Sequence, residues 1–67
     1  MTGTIKHVVH ERGFGFVRGD DGEYFFHRSG VLGVGVFEDL VEDTPVLFEE
    51  EPGSPKGPRA NQVRLTG

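Results

Sequence analysis

Apolar and polar residues alternate in short runs along this chain, which is the pattern of β-strands rather than of helices. The two runs richest in aromatic side chains are residues 12–17 and residues 24–27. Since successive side chains of a strand point to opposite faces, Phe14 and Phe16 share one face. Phe25 shares a face with His27 in the same way. We therefore expect two aromatic strands that could pair with four rings side by side.

The same alternation predicts five short strands separated by turns. They are expected at residues 4–10, 14–18, 23–27, 45–51 and 60–66. The adjacent Val8 and Val9 break the alternation of the first strand and suggest a β-bulge there. Residues 19–22, Gly-Asp-Asp-Gly, predict a hairpin in which Asp-Gly supplies the positive φ angles. Residues 29–32 and 37–44 have room for a helical turn at most.

Five short strands with almost no helix predict an all-β protein, built as a small closed barrel or a sandwich. Closure would remove the edges that an open sheet leaves exposed. A length of 67 residues leaves room for one small domain, residues 1–67. The expected core consists of Ile5, Val17, Tyr24, Phe26, Val31, Val46, Phe48, Val63 and Leu65.

A barrel of this size cannot bury both of its aromatic sets. Tyr24 and Phe26 form a consistent inward set with the apolar residues of the fourth strand. The opposite interpretation, in which Phe14, Phe16 and Phe25 are ordinary core residues, would leave that inward set exposed. An exposed apolar patch usually marks a binding site, and exposed rings on paired strands are a surface for stacking the bases of single-stranded nucleic acid.

The charge of the chain changes this picture only in part. The net charge is −4, whereas proteins that bind phosphate backbones are usually basic. Seven acidic residues and no basic one fall within residues 38–51, however, while residues 1–28 hold four of each. The aromatic runs lie in this balanced part, and the acidic block is interpreted as a solvated face that keeps the protein soluble.

Composition disfavours several other classes of protein. There is no cysteine for a disulfide or a Cys-based zinc site, and no apolar run approaches the roughly 18 residues of a membrane helix. The start of the chain enters a strand pattern without a signal peptide, so we expect a cytoplasmic location. His7, His10 and His27 are interpreted as surface residues, and Ser29 and Ser54 lack the surroundings of a nucleophile. We expect no enzymatic activity, no metal site and no cofactor.

Two nucleotide-binding motifs match only in part, and both are rejected. Residues 12–17 follow the RRM signature through its sixth position, but Gly19 stands where an aromatic residue is required. The chain before residue 12 is also too short for the strand and helix that precede this motif in an RRM. Gly13, Gly15 and Gly19 approximate a dinucleotide-binding fingerprint, but the third glycine falls one residue late and no helix follows.

Nearly the whole chain resembles the bacterial cold-shock proteins, which carry the cold-shock domain of the OB-fold class. Residues 12–17 look like the first ribonucleoprotein motif of that family, K-G-F-G-F-I, and residues 24–27 look like the second, V-F-V-H. Residues 3–6 match the family's opening. The remaining matches are Phe37, Leu40 and Glu42 to the segment F-K-x-L-x-E, and Lys56, Gly57, Pro58 and Ala60 to K-G-P-x-A.

The resemblance implies a five-stranded antiparallel OB-fold barrel that binds single-stranded RNA and DNA. It further implies an RNA chaperone that melts weak secondary structure, with roles in translation or transcription antitermination. We expect a monomer with no membrane partner and no small-molecule substrate. The binding residues that the resemblance implies are Lys6, His7, Arg12, Phe14, Phe16, Phe25, His27, Phe37 and Lys56. We expect Arg28 and Arg59 to bind nucleic acid as well.

This chain departs from the family at two stacking positions. His7 stands where the family has a tryptophan, and Arg28 stands where it often has a phenylalanine. Both side chains can still stack, with a smaller ring or through a guanidinium plane. We expect binding that depends on stacking, tolerates sequence and mildly prefers pyrimidines. The alternative is a small β-barrel that binds proteins, with weak or lost binding of nucleic acid.

Overall fold

The alternating runs fold into five strands, each close to its predicted position. The computed structural model describes residues 1–51 and 57–66, and its strands are β1 (Thr2–Val9), β2 (Phe14–Gly19), β3 (Gly22–His27), β4 (Pro45–Glu51) and β5 (Arg59–Leu65). Helical structure in this part of the chain is limited to a 3-10 helix, Arg28–Gly30, and one turn of α-helix, α1, Val36–Asp39. The predicted all-β class is confirmed. No helix among the described residues is long and apolar enough to cross a membrane.

The strands close into a barrel in the order β1-β2-β3-β5-β4. The pairs β1–β2, β1–β4, β2–β3 and β4–β5 are antiparallel. β3 meets β5 in a parallel contact at Phe25 and Arg59, where the Phe25 N–H donates to the Pro58 carbonyl at 3.2 Å. The predicted closed five-stranded barrel is confirmed, although this closing contact is parallel rather than antiparallel.

A β-bulge lies in β1, but not at the two valines where the sequence places it. Val8 and Val9 pair regularly with β2, and the register shifts between Ile5 and His7, which leaves Lys6 as the extra residue. Ile5 points into the core, whereas Lys6 and His7 are both exposed. The bulge therefore turns two successive polar side chains outward, which a regular strand could not do.

The hairpin between β2 and β3 forms at the predicted place with a different turn. Gly19 pairs with Gly22, and Asp20 and Asp21 form the loop. Only the glycine carries a positive φ, 141°, so the expectation that Asp-Gly supplies both positive angles is wrong. Asp21 instead accepts a hydrogen bond of 2.6 Å from the Tyr24 hydroxyl, which ties the turn to the core.

The core fills the barrel with aliphatic and aromatic side chains from every strand and from α1. The buried residues are Ile5, Val17, Tyr24, Phe26, Phe37, Leu40, Val46, Phe48, Ala60 and Val63. Two predicted core positions differ. Val31 is half-buried and packs against the core, and Leu65 is 42% exposed because it ends β5 at the rim of the barrel.

Gly15 allows β2 to lie close to the Phe26 ring and to the backbone of β1. A Cβ atom at this position would lie 2.7 Å from the His7 carbonyl oxygen and 2.8 Å from the Phe26 ring. Any other residue at position 15 would push the Phe26 ring or the β1 backbone away. The glycine between the two outward phenylalanines of β2 is thus required by the packing beneath them.

Candidate nucleic-acid interface

Three phenylalanine rings meet on the outer face of the β2–β3 hairpin. In the hairpin register Phe16 lies opposite Phe25 and Phe14 lies opposite His27. The ring centroids of Phe14 and Phe16 are 6.2 Å apart, those of Phe14 and Phe25 5.7 Å, and those of Phe16 and Phe25 5.8 Å. Each ring is half-buried, so it packs against its neighbours and still presents surface to solvent. We call Phe14, Phe16 and Phe25 the aromatic cluster.

His27 lies on the same face as the cluster, but its ring is hydrogen-bonded to the start of the 3-10 helix. The His27 Nδ1 atom accepts a hydrogen bond of 3.1 Å from the Ser29 backbone N–H and lies 3.0 Å from the Ser29 hydroxyl. The side chain thereby caps the 3-10 helix that follows β3. The four side-by-side rings expected from the sequence are thus three packed phenylalanines with an exposed, capping histidine beside them.

One flank of the cluster is formed by the bulge in β1. Lys6 and His7, together with Phe16 and Glu23, line an open groove of about 290 Å³. The Lys6 ammonium donates to the Glu23 carboxylate at 2.6 Å. This hydrogen bond and the lysine charge hold the pKa of Glu23 below its usual value. Much of the positive charge that Lys6 brings to the interface is therefore already balanced by a carboxylate.

The opposite flank is formed by Arg59 at the start of β5. Its guanidinium carbon lies 5.3 Å from the centroid of the Phe25 ring. The planar guanidinium thereby extends the stacking surface of the cluster. The Glu51 carboxylate, opposite Arg59 on β4, lies 3.7 Å from the Arg59 Nε atom. The two flanks are thus alike, because each places one cation and one carboxylate beside the aromatic cluster.

Phe37, which the resemblance places among the binding residues, is buried and does not lie on this surface. The ring is only 4% exposed and packs in the core, with its centroid 5.5 Å from the His10 ring and 6.4 Å from Phe26. The physical reason is α1, which begins after Gly35 at a φ of 77° and directs Phe37 inward. The His10 Nε2 atom lies 2.9 Å from the Leu40 carbonyl oxygen and fixes the end of this turn.

The remaining predicted residues are dispersed. Arg28 is exposed, and its guanidinium carbon lies 5.7 Å from the centroid of Phe37 rather than over the cluster. Arg12 is exposed in the turn between β1 and β2. Lys56 lies outside the described residues. Among the residues described, no group of three or more His, Asp or Glu side chains is placed to hold a metal ion.

Two carboxylates of the interface were missed by the sequence reasoning. Glu23 could have been found, because it lies two residues before Phe25 and so shares its face of β3. Glu51 could not, because it meets Arg59 only through the pairing of β4 with β5. Each lies beside a cation that the sequence analysis names among the binding residues.

Comparison with known proteins shows the family of this chain. The family described as the 'Cold-shock' DNA-binding domain matches residues 1–66. The chain belongs to the cold-shock domain family. It is 44% identical over 64 residues to "Probable cold shock protein A" of Mycobacterium tuberculosis, a match that covers 92% of each chain. It is 41% identical over 64 residues to "Cold shock-like protein CspE" of Bacillus anthracis, covering 94% of this chain and 92% of that protein.

A plant relative shows the same domain within a longer protein. "Glycine-rich protein 2" of Nicotiana sylvestris is 40% identical over 67 residues, which are 97% of this chain and 30% of that protein. The cold-shock domain family is a non-enzymatic family that binds nucleic acid. The aromatic cluster and its flanks are therefore the surface on which to seek the nucleic acid.

Proposed function

We propose that this cold-shock domain binds single-stranded RNA and DNA by stacking bases on the aromatic cluster, with low sequence specificity, and that it acts as an RNA chaperone. The observation that carries the proposal is the continuous patch formed by Phe14, Phe16 and Phe25 outside the barrel. Single strands are required because a base in a duplex has its faces covered by its neighbours. The proposal takes residues 1–67 as one monomeric, cytoplasmic domain.

Stacking supplies most of the affinity in this proposal. A base stacked on an aromatic side chain contributes about 1–3 kcal/mol, and every base has a face that can stack. The three rings of the cluster are held by the β2–β3 hairpin and packed on one another, so little conformational entropy is lost on binding. The result is a preformed surface that can bind many different base sequences.

The electrostatic contribution is small for a protein of this kind. Lys6 is paired with Glu23, Arg59 lies beside Glu51, and the net charge is −4. Each phosphate neutralised on a single strand contributes about 0.7 to the slope of log K against log salt. With two to four contacts we expect a slope between roughly −1 and −3. A slope steeper than about −4 would contradict binding dominated by stacking.

Chaperone activity follows from the same contacts. A base stacked on Phe14 or Phe16 is withdrawn from pairing, so binding shifts a weak hairpin towards its single-stranded form. Because the contacts tolerate sequence, many different weak structures would be opened. A hairpin RNA that carries a fluorophore and a quencher at its ends should brighten as the protein is added, whereas a long stable duplex should not.

Fluorescence anisotropy with labelled oligo-dT and oligo-U tests the binding itself. It compares the wild-type protein with a Phe14→Ala/Phe16→Ala double variant. We expect wild type to bind both oligonucleotides and the double variant to lose at least about tenfold in affinity. Leu32→Ala, which removes an exposed apolar side chain elsewhere, is the matched control and should bind as wild type does. Wild type that binds neither oligonucleotide would eliminate the proposal.

The balanced charges of the two flanks also fit a second function, in which the cluster binds a peptide. Neither Lys6 nor Arg59 presents an unopposed positive charge, and an apolar peptide needs none. A folded wild-type protein that binds neither oligonucleotide would favour this function.

A further inference from the structure

A polar pocket opens beside the aromatic cluster, between the end of β3, the 3-10 helix and the paired strands β4 and β5. It has a volume of about 280 Å³ and its polar side chains are His27, Ser29, Glu51, Arg59 and Asn61. Arg59 belongs to both surfaces, because its guanidinium lies over the Phe25 ring. A ligand group that leaves the cluster past Phe25 therefore enters this pocket next.

Arg59 brings an unused donor to the pocket. Its Nε atom is buried, although the side chain as a whole is 42% exposed, and it has no hydrogen-bond acceptor among the described residues. The nearest Glu51 oxygen lies 3.7 Å away, within reach of an ion pair but too far for a hydrogen bond. Because Nε itself is buried, a ligand acceptor in the pocket meets the terminal NH2 groups of the same guanidinium, which belong to the exposed part of the side chain.

Glu51 places a carboxylate beside that guanidinium. Its carboxylate has two oxygens that can each accept a hydrogen bond. A phosphate is a poor ligand for this pocket, because it would place a second anion against the Glu51 carboxylate. The pocket fits a neutral group that carries one acceptor for Arg59 and two adjacent donors for Glu51.

We propose that this pocket is a guanine-selective subsite of the interface, an inference that rests on the proposed binding of single strands. The Watson–Crick edge of guanine presents one acceptor, O6, followed by two donors, N1–H and the N2 amino group. Uracil and thymine present a single donor between two acceptors. Either base would therefore place a carbonyl oxygen against the Glu51 carboxylate. Adenine and cytosine each offer one amino group, so neither can satisfy both oxygens of Glu51.

The arrangement adds selectivity at one position of an otherwise tolerant surface. Arg59 donates to O6 while the Glu51 carboxylate accepts from N1–H and the amino group. The preferred single strand is then a pyrimidine-rich tract that carries a guanine where the chain passes Phe25.

A series of dT oligonucleotides, each with one dG at a successive position, tests the subsite by anisotropy against all-dT. We expect the best-placed dG to bind at least about fivefold more tightly than all-dT. Replacing that dG by deoxyinosine, which lacks the amino group, should remove much of the gain. Glu51→Gln should abolish the preference for dG, and Glu50→Gln, the same change at the neighbouring exposed residue, should retain it.

These titrations distinguish a missing guanine subsite from a failure to bind single strands at all. Equal affinity for every dG position and for all-dT would overturn the guanine subsite and leave single-strand binding standing. A preference for dG that persists in Glu51→Gln would overturn the assignment to this pocket. Wild type that binds none of the oligonucleotides would overturn both.

Discussion

The six phenylalanines of the chain divide into three on the outer surface of the barrel and three in its core. The outer group is Phe14, Phe16 and Phe25, and the inner group is Phe26, Phe37 and Phe48. Phe25 and Phe26 are neighbours in β3, yet one ring is half-exposed and the other is wholly buried. Within β3, strand alternation alone is enough to direct one phenylalanine into the core and its neighbour to the outer surface.

The largest effect should come from the same substitution at the two neighbours. Phe26→Ala removes a fully buried ring and should lower the free energy of unfolding by about 3–5 kcal/mol, because it leaves a cavity. Phe25→Ala should lower it by about 1 kcal/mol. Urea denaturation followed by far-UV circular dichroism measures both.

Phe26→Ala could leave too little folded protein to measure, so Phe26→Leu provides the second variant. It should cost about 1–2 kcal/mol of stability and leave oligonucleotide affinity unchanged. Phe25→Ala should instead lose roughly 5–150-fold in affinity, the equivalent of one stacked base. Similar stability losses at Phe25 and Phe26 would erase the division between the two groups.

Phe37 is the sharpest test, because the sequence resemblance places it in the outer group and the structure in the inner one. Phe37→Leu should lower stability by about 1–2 kcal/mol while oligonucleotide affinity stays within twofold of wild type. Phe16→Leu is the matched control and should show the reverse pattern. A loss of affinity in Phe37→Leu at unchanged stability would return this ring to the binding surface.

Tyr24 belongs to the inner side but keeps a polar tip at the β2–β3 turn. The hydrogen bond to Asp21, together with burial, raises the pKa of Tyr24 to about 12. An unfolded tyrosine ionises near pH 10, so this contribution to stability is fully present below about pH 10 and is lost as the pH rises through about 12.

Absorbance titration of the phenolate reports this residue alone, since the chain has one tyrosine and no tryptophan. Asp21→Ala should shift the titration of Tyr24 down towards pH 10, because the acceptor is gone. Asp20→Ala, the same change one residue earlier in the turn, should shift it much less. Identical curves for the two variants would show that the hydrogen bond to Asp21 does not set the pKa.

The smallest effect is expected on the outer side, at Glu23. Glu23→Gln releases Lys6 from its ion pair, so single-strand affinity at low salt should rise by a few-fold and the salt slope should steepen by about 0.7. Glu38→Gln, which makes the same charge change at an exposed position of α1, controls for net charge. Equal effects of the two variants would mean that Lys6 does not contact phosphate.

The sequence predicts the outer group well because alternation is a local property. Phe14, Phe16 and Phe25 are assigned to one face by period two, and the hairpin at residues 19–22 is enough to bring them together. The fold class, the closed barrel and most of the core follow from the same periodicity.

Features that depend on tertiary packing could not be predicted in this way. The direction of Phe37 depends on how α1 packs against the barrel, and its matching sequence segment carries no such information. The bulge at Lys6 depends on how β1 pairs with β2, and the contact of Glu51 with Arg59 depends on closure of the sheet. Each requires knowledge of a partner that is distant along the chain.

The parallel contact between Phe25 and Arg59 has a consequence for how the protein folds. It joins strands from opposite halves of the chain, so forming it closes a longer loop, at a greater cost in loop-closure entropy, than forming the β2–β3 hairpin. The same contact unites the aromatic cluster with the polar pocket. A nucleic acid that contacted both surfaces would bind the closed barrel more tightly than a form with β5 undocked, and would therefore stabilise the closure.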